Sequence, residues 1–121
     1  MEKINMSVRM TPGGPLGQLS EIQYVDAAQV LEGAPEEKGA LYFERSDGAA
    51  AGVWSCGKYR ERIDSYPCDE MCTVIEGAVT ITPAGGVPST YSKGDTFLIR
   101  KGFKGTWETN GPFKKYFFLA P

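Results

Sequence analysis

Two β-type runs that meet at a single glycine constrain this chain more than any other feature. From Asp64 it reads Asp-Ser-Tyr-Pro-Cys-Asp-Glu-Met-Cys-Thr-Val-Ile-Glu-Gly-Ala-Val-Thr-Ile-Thr, ending at Thr82. An apolar, β-branched run (Cys72 to Ile75) leads to Glu76 and Gly77, and an alternating run (Ala78 to Thr82) follows at once. Glycine supplies the positive φ of a tight turn, so the stretch predicts two strands joined as a hairpin. Just upstream, Asp64, Tyr66, Asp69 and Glu70 bring polar groups to its mouth.

The same punctuation recurs along the chain. Ala40 to Arg45 and Ala51 to Cys56 flank the turn at Ser46, Asp47 and Gly48, and Lys58 to Asp64 alternates. Ser89 to Ser92, Thr96 to Ile99, Thr106 to Thr109 and Phe113 to Leu119 read as further strands between glycine and proline turns. Short strands at a spacing of about 8–12 residues predict an all-β, antiparallel jelly roll or barrel. Residues 39–121 are assigned to that barrel and residues 1–38 to an N-terminal arm, one domain overall. In the arm, Ser7 to Met10 and Ile22 to Val25 read as short strands. Asp26 to Gly33 reads as one or two helical turns, capped by Asp26 and ended by Gly33.

Composition removes several function classes. Thirteen basic against fifteen acidic residues leave a net charge of −2, which draws neither nucleic acid nor a membrane surface. No run is apolar enough for a bilayer span or a leader, so a cytoplasmic protein is expected. The three cysteines are an odd number and read as reduced thiols; Cys68 and Cys72 lack zinc-knuckle spacing. The chain contains no histidine at all. That removes the commonest ligand for transition metals and the usual activator of a nucleophilic cysteine.

Gly57, Glu70 and Gly77 fall where a first motif has its opening glycine, its glutamate and its closing glycine. Gly94-Asp-Thr-Phe-Leu-Ile-Arg-Lys-Gly102 and Phe103 to Trp107 match a second motif. Over about residues 39–119 the chain therefore resembles small single-domain cupins (RmlC-like). The branch it is most similar to includes ureidoglycine aminohydrolase-like and ethanolamine-utilisation-like proteins. Arg100 stands where that family usually has proline, and Gly105 where many members have their last histidine. The resemblance implies a cupin double-stranded β-helix and an arm packed on a neighbouring subunit, hence a homodimer. Carried over position by position, the metal-ligand places hold Asp64, Tyr66, Glu70 and Gly105. With no imidazole among them, neither a metal nor another cofactor is expected.

Family position puts Glu70 on the barrel interior, where burial would suit it to acid–base work with Tyr66. The plainer alternative is a half-buried glutamate that only fixes the barrel. Strand alternation places Arg60, Arg62 and Asp64 on one face and Tyr59, Glu61 and Ile63 on the other. If Asp64 points inward, Arg62 and Arg60 form a wall for a small carboxylate; the apolar Tyr59 and Ile63 argue for the opposite face as core. Cys72 shares parity with Glu70, and Trp107 is a candidate wall for the apolar part of a ligand. Arg100, Lys101, Lys104, Lys114 and Lys115 read as a solvated basic rim. The expected function is metal-free binding of a small polar metabolite, with possible acid–base chemistry at Glu70. A non-catalytic homodimeric scaffold or sensor is one alternative, and a metal-dependent aminohydrolase-like enzyme with a reduced ligand set is another.

Overall fold

The computed structural model describes residues 6–121. Its described residues form eleven strands in two antiparallel sheets and one turn of 3-10 helix, the jelly roll that the strand spacing predicts. The strands are β1 (Ser20–Glu21), β2 (Val30–Gly33), β3 (Lys38–Glu44), β4 (Ala50–Cys56), β5 (Tyr59–Ile63) and β6 (Asp69–Glu76). They continue as β7 (Ala78–Pro83), β8 (Ser89–Ser92), β9 (Thr96–Ile99), β10 (Gly105–Thr109) and β11 (Phe113–Ala120). One sheet has the order β1-β3-β4-β11-β6-β9 and the other β2-β5-β10-β7-β8. No helix among the described residues is long and apolar enough to cross a membrane.

The junction at Gly77 is not the hairpin its local sequence predicts. β6 pairs with β11 and β9, whereas β7 pairs with β10 and β8, so the two runs lie in different sheets. Gly77 is the corner between them, at φ 76°, and a Cβ there would collide with the Pro112 carbonyl oxygen. Both the backbone angle and the close approach exclude a side chain. Most connections change sheet in the same way, among them those at Gly57, at Gly94 and at residues 110–112. The turn at Ser46 to Gly48 is a true hairpin, joining β3 to β4.

Alternation along each strand sends one face into the space between the sheets. Trp54, Trp107 and Phe113 meet there edge to face, with ring centroids 5.5–6.3 Å apart, and Tyr91 stacks on Phe97 at 4.2 Å. The opposite face of the larger sheet is unusually apolar. Phe43, Ala51, Phe118, Met71 and Leu98 fall in one register row across five strands, with Phe43 stacked against Phe118.

Residues 20–33 are built into both sheets. β1 extends the larger sheet and β2 the smaller one. The predicted strand at Ile22 to Val25 lies instead at Ser20–Glu21, and Ser7 to Met10 form no strand. The predicted helical turns shrink to Ala27–Gln29, capped by Asp26, whose Oδ1 accepts the Ala28 amide at 2.9 Å; the remainder is β2. Pairing with β5 offers Val30 to Gly33 more backbone hydrogen bonds than another isolated turn could. The segment is held by Glu37, buried, which accepts hydrogen bonds from the Tyr24 and Val25 amides and from the Trp54 indole.

Candidate functional site

A cavity of about 390 Å³ opens between the sheets, bounded by residues 24–29 of the N-terminal segment, by β5 and the loop after it, and by β6, β10 and β11. β6 delivers Glu70 to the interior, since Glu70, Cys72 and Val74 share its inward face. β11 delivers Lys115 on the same principle, between Phe113 and Phe117. Lys115 is registered with Val74, and its side chain runs along the barrel to reach Glu70. Its Nζ donates to Glu70 Oε2 at 2.5 Å, and both side chains are only 6% exposed.

The rest of the cluster completes this ion pair. The Tyr66 hydroxyl donates to Glu70 Oε1 at 2.5 Å, and the Cys72 thiol donates to Oε2 at 3.1 Å. Lys115 Nζ also lies 3.6 Å from Cys72 Sγ and about 5 Å over both the Trp54 and Trp107 rings. Burial alone would raise the Glu70 pKa; the Lys115 charge and the three donated hydrogen bonds outweigh it and hold the carboxyl below its ordinary value. Burial likewise opposes the ammonium, yet the Glu70 carboxylate that it meets holds Lys115 well above its usual range. Burial pushes the Cys72 thiol up to about 12 and raises the Tyr66 phenol, so both are neutral hydrogen donors.

Glu61, on β5, faces the same cavity from the smaller sheet. Its Oε1 accepts the Tyr59 hydroxyl at 2.7 Å, and burial raises its pKa. Tyr59, Glu61 and Ile63 are therefore the inward face of β5. The arginine wall is not formed: Arg60 pairs outside with Glu32 at 3.1 Å, and Arg62 pairs with Asp64 at 3.0 Å on the exposed rim. The hydrophobic gain of burying Tyr59 and Ile63 decides the face, because Arg60 and Arg62 can stay in water.

The structure thus brings Glu70, Tyr66 and Cys72 into contact and places Trp107 on the cavity wall, with Arg62 and Asp64 at the mouth. Cys72 is fully buried and does not line the cavity. Lys115 corrects the reading of a solvated basic rim: it is 5% exposed, while Arg100, Lys101 and Lys104 are exposed. Its position between Phe113 and Phe117 on an alternating strand was the available signal. Glu61 and Glu37 have no motif that marks them.

The residues at the family's metal positions do not fit a metal. Both Glu70 oxygens are engaged by Lys115, Tyr66 and Cys72, Asp64 is held by Arg62, and Gly105 has no side chain. Among the described residues no three Cys, Asp or Glu side chains are grouped to hold an ion. The cation beside Glu70 is an ammonium.

A model of the EutQ-like cupin domain matches residues 43–117. The fold is similar to that of a protein of unknown function from Pseudomonas syringae pv. tomato, with TM-score 0.80 and 23% identity over 87% of this chain. This chain spans 45% of that protein. It is also similar to a putative ethanolamine utilization protein Q from Salmonella typhimurium, with TM-score 0.60, 19% identity and coverage of 70% of this chain and 69% of that one. The Clostridium difficile EutQ protein gives TM-score 0.62 and 19% identity over 72% of this chain and 64% of that one. No curated protein sequence matches. With the family model covering more than half of its length and the jelly roll in place, the chain belongs to the EutQ-like cupin family.

Proposed function

We propose that this cupin binds a small polar metabolite in the cavity between its sheets, without a metal, with Tyr66 and Glu70 at the contact. The observation that carries the reading is a cavity open to solvent that meets a buried, charge-balanced cluster. Glu70 is an ionised acceptor with both oxygens already hydrogen-bonded, Oε1 by Tyr66 alone. Proton transfer to or from a ligand would therefore run through exchange of the Tyr66 hydrogen bond. A thermal-shift screen against a metabolite panel, repeated with Glu70→Gln and Tyr66→Phe, tests the reading. A ligand that raises Tm in the parent protein and loses most of that rise in the variants is the expected result. Ligands that stabilise parent and variants equally would place binding elsewhere.

A second reading, the homodimeric scaffold, is favoured by the apolar row from Phe43 to Leu98 on the outer face of the larger sheet. Sedimentation equilibrium of the parent and of Met71→Lys tests it. A monomeric parent protein would remove it.

A further inference from the structure

Resting on the cavity-binding reading, we propose that the ligand is a small organic cation, a protonated amine that takes Glu61 as its counter-ion. Four carboxylates line the cavity, Asp26, Glu61, Asp64 and Glu70, against two cations, Arg62 and Lys115. Both cations are engaged: Lys115 by Glu70 at 2.5 Å and Arg62 by Asp64 at 3.0 Å. Lys115, the buried cation, is neutralised by Glu70, and Arg62, with its Nε on Asp64, stands at the exposed rim, so an anion deep in the cavity would lie among carboxylates without an unpaired cation.

Glu61 is differently placed. One oxygen accepts from Tyr59, and the other makes no hydrogen bond with any described residue. In register, Glu61 stands opposite Trp107 on β10, so the unmatched carboxylate oxygen belongs to a wall that is otherwise aromatic. Carboxylate beside aromatic rings is the chemistry that holds an ammonium out of water. Two further polar atoms of lining residues are buried and have no partner, the Gln29 side-chain oxygen and the Trp107 indole N–H. Gln29 would accept a second N–H of the amine, and a hydroxyl or carbonyl on the same ligand would satisfy the indole. Burial raises the Glu61 pKa, and the Tyr59 hydrogen bond and the Lys115 charge offset that only in part.

Three probes that share one ring and differ in charge separate the possibilities: benzylamine, benzyl alcohol and benzoate, titrated at neutral pH by amide chemical shifts. Benzylammonium is expected to bind in the cavity at least about tenfold more tightly than benzoate. Glu61→Gln keeps the acceptor for Tyr59; it should weaken benzylammonium about tenfold and leave benzyl alcohol within about twofold, with amide dispersion reporting that the variant is folded. Benzoate binding as tightly as benzylammonium would overturn the cation while leaving the cavity reading intact. Benzylammonium affinity unchanged in folded Glu61→Gln would overturn the counter-ion. Failure of all three probes to move the amides of Tyr66, Glu61 and Trp107 would overturn the cavity reading and the cation with it.

Discussion

Glu70 and Glu61 face one cavity from opposite sheets, and the chain treats them in opposite ways. Glu70 on β6 is closed in by a cation and two further donors, which hold it ionised although it is buried. Glu61 on β5 has a single donor, Tyr59, and its acidity is weakened by burial. The same functional group is neutralised within the chain on one wall and left without a cation on the other. A carboxylate that lacks a cation of its own is where a charged ligand has most to gain.

Removing the ammonium breaks the comparison most severely. Lys115→Met strands Glu70 as an unpaired buried charge and should cost about 3–5 kcal/mol in urea unfolding at neutral pH. Glu61→Gln measured beside it should stay within about 1 kcal/mol of the parent protein. Changing both partners tests whether the first loss is a charge effect: Lys115→Met with Glu70→Leu should recover about 2 kcal/mol or more of it. A double variant no better than the single one would mean that shape, not charge, is what β11 contributes there.

The two carboxylates should also bend the stability profile in opposite senses. Glu70 is held below its ordinary 4.5, so its contribution is complete above that pH and fades as pH falls through the lower folded value. Glu61 is held above 4.5, so its contribution is present below that pH and is lost as pH rises through the higher folded value. Urea midpoints of Glu61→Gln should therefore gain on the parent protein as pH rises from about 4 towards neutrality. A constant offset across that range would show that Glu61 is not perturbed. The smallest effect is expected for Tyr66→Phe, about 1 kcal/mol, because Glu70 keeps Lys115 and Cys72 when the phenol is lost.

Strands are readable from sequence here because each is short, alternating and bounded by glycine or proline; β3, β4, β5, β9, β10 and β11 lie where those signals put them. The identity of the partners is not local. Gly77 at positive φ looks the same whether the chain doubles back on itself or steps to the second sheet. The choice is made by Cys72 finding Phe117 and Ile81 finding Trp107, contacts more than twenty residues distant. Glu70 was legible as an interior residue because its spacing to Gly77 carries family information. Lys115 was hidden by its neighbour: beside Lys114 it reads as part of a charged surface, and only the β11 parity shared with Phe113 and Phe117 separates them. Glu61 was visible as a parity consequence of Tyr59 and Ile63, but not as the group left without a cation.

The lysine that closes the Glu70 cluster lies over Trp54 and Trp107, and these are the chain's only two tryptophans. The molecule therefore carries its own optical probe. Excited indole shifts charge within its ring, so a cation fixed over its face tunes the colour and yield of emission. Occupation of the neighbouring space, or loss of that cation, should be readable as a change in ultraviolet fluorescence with no label added.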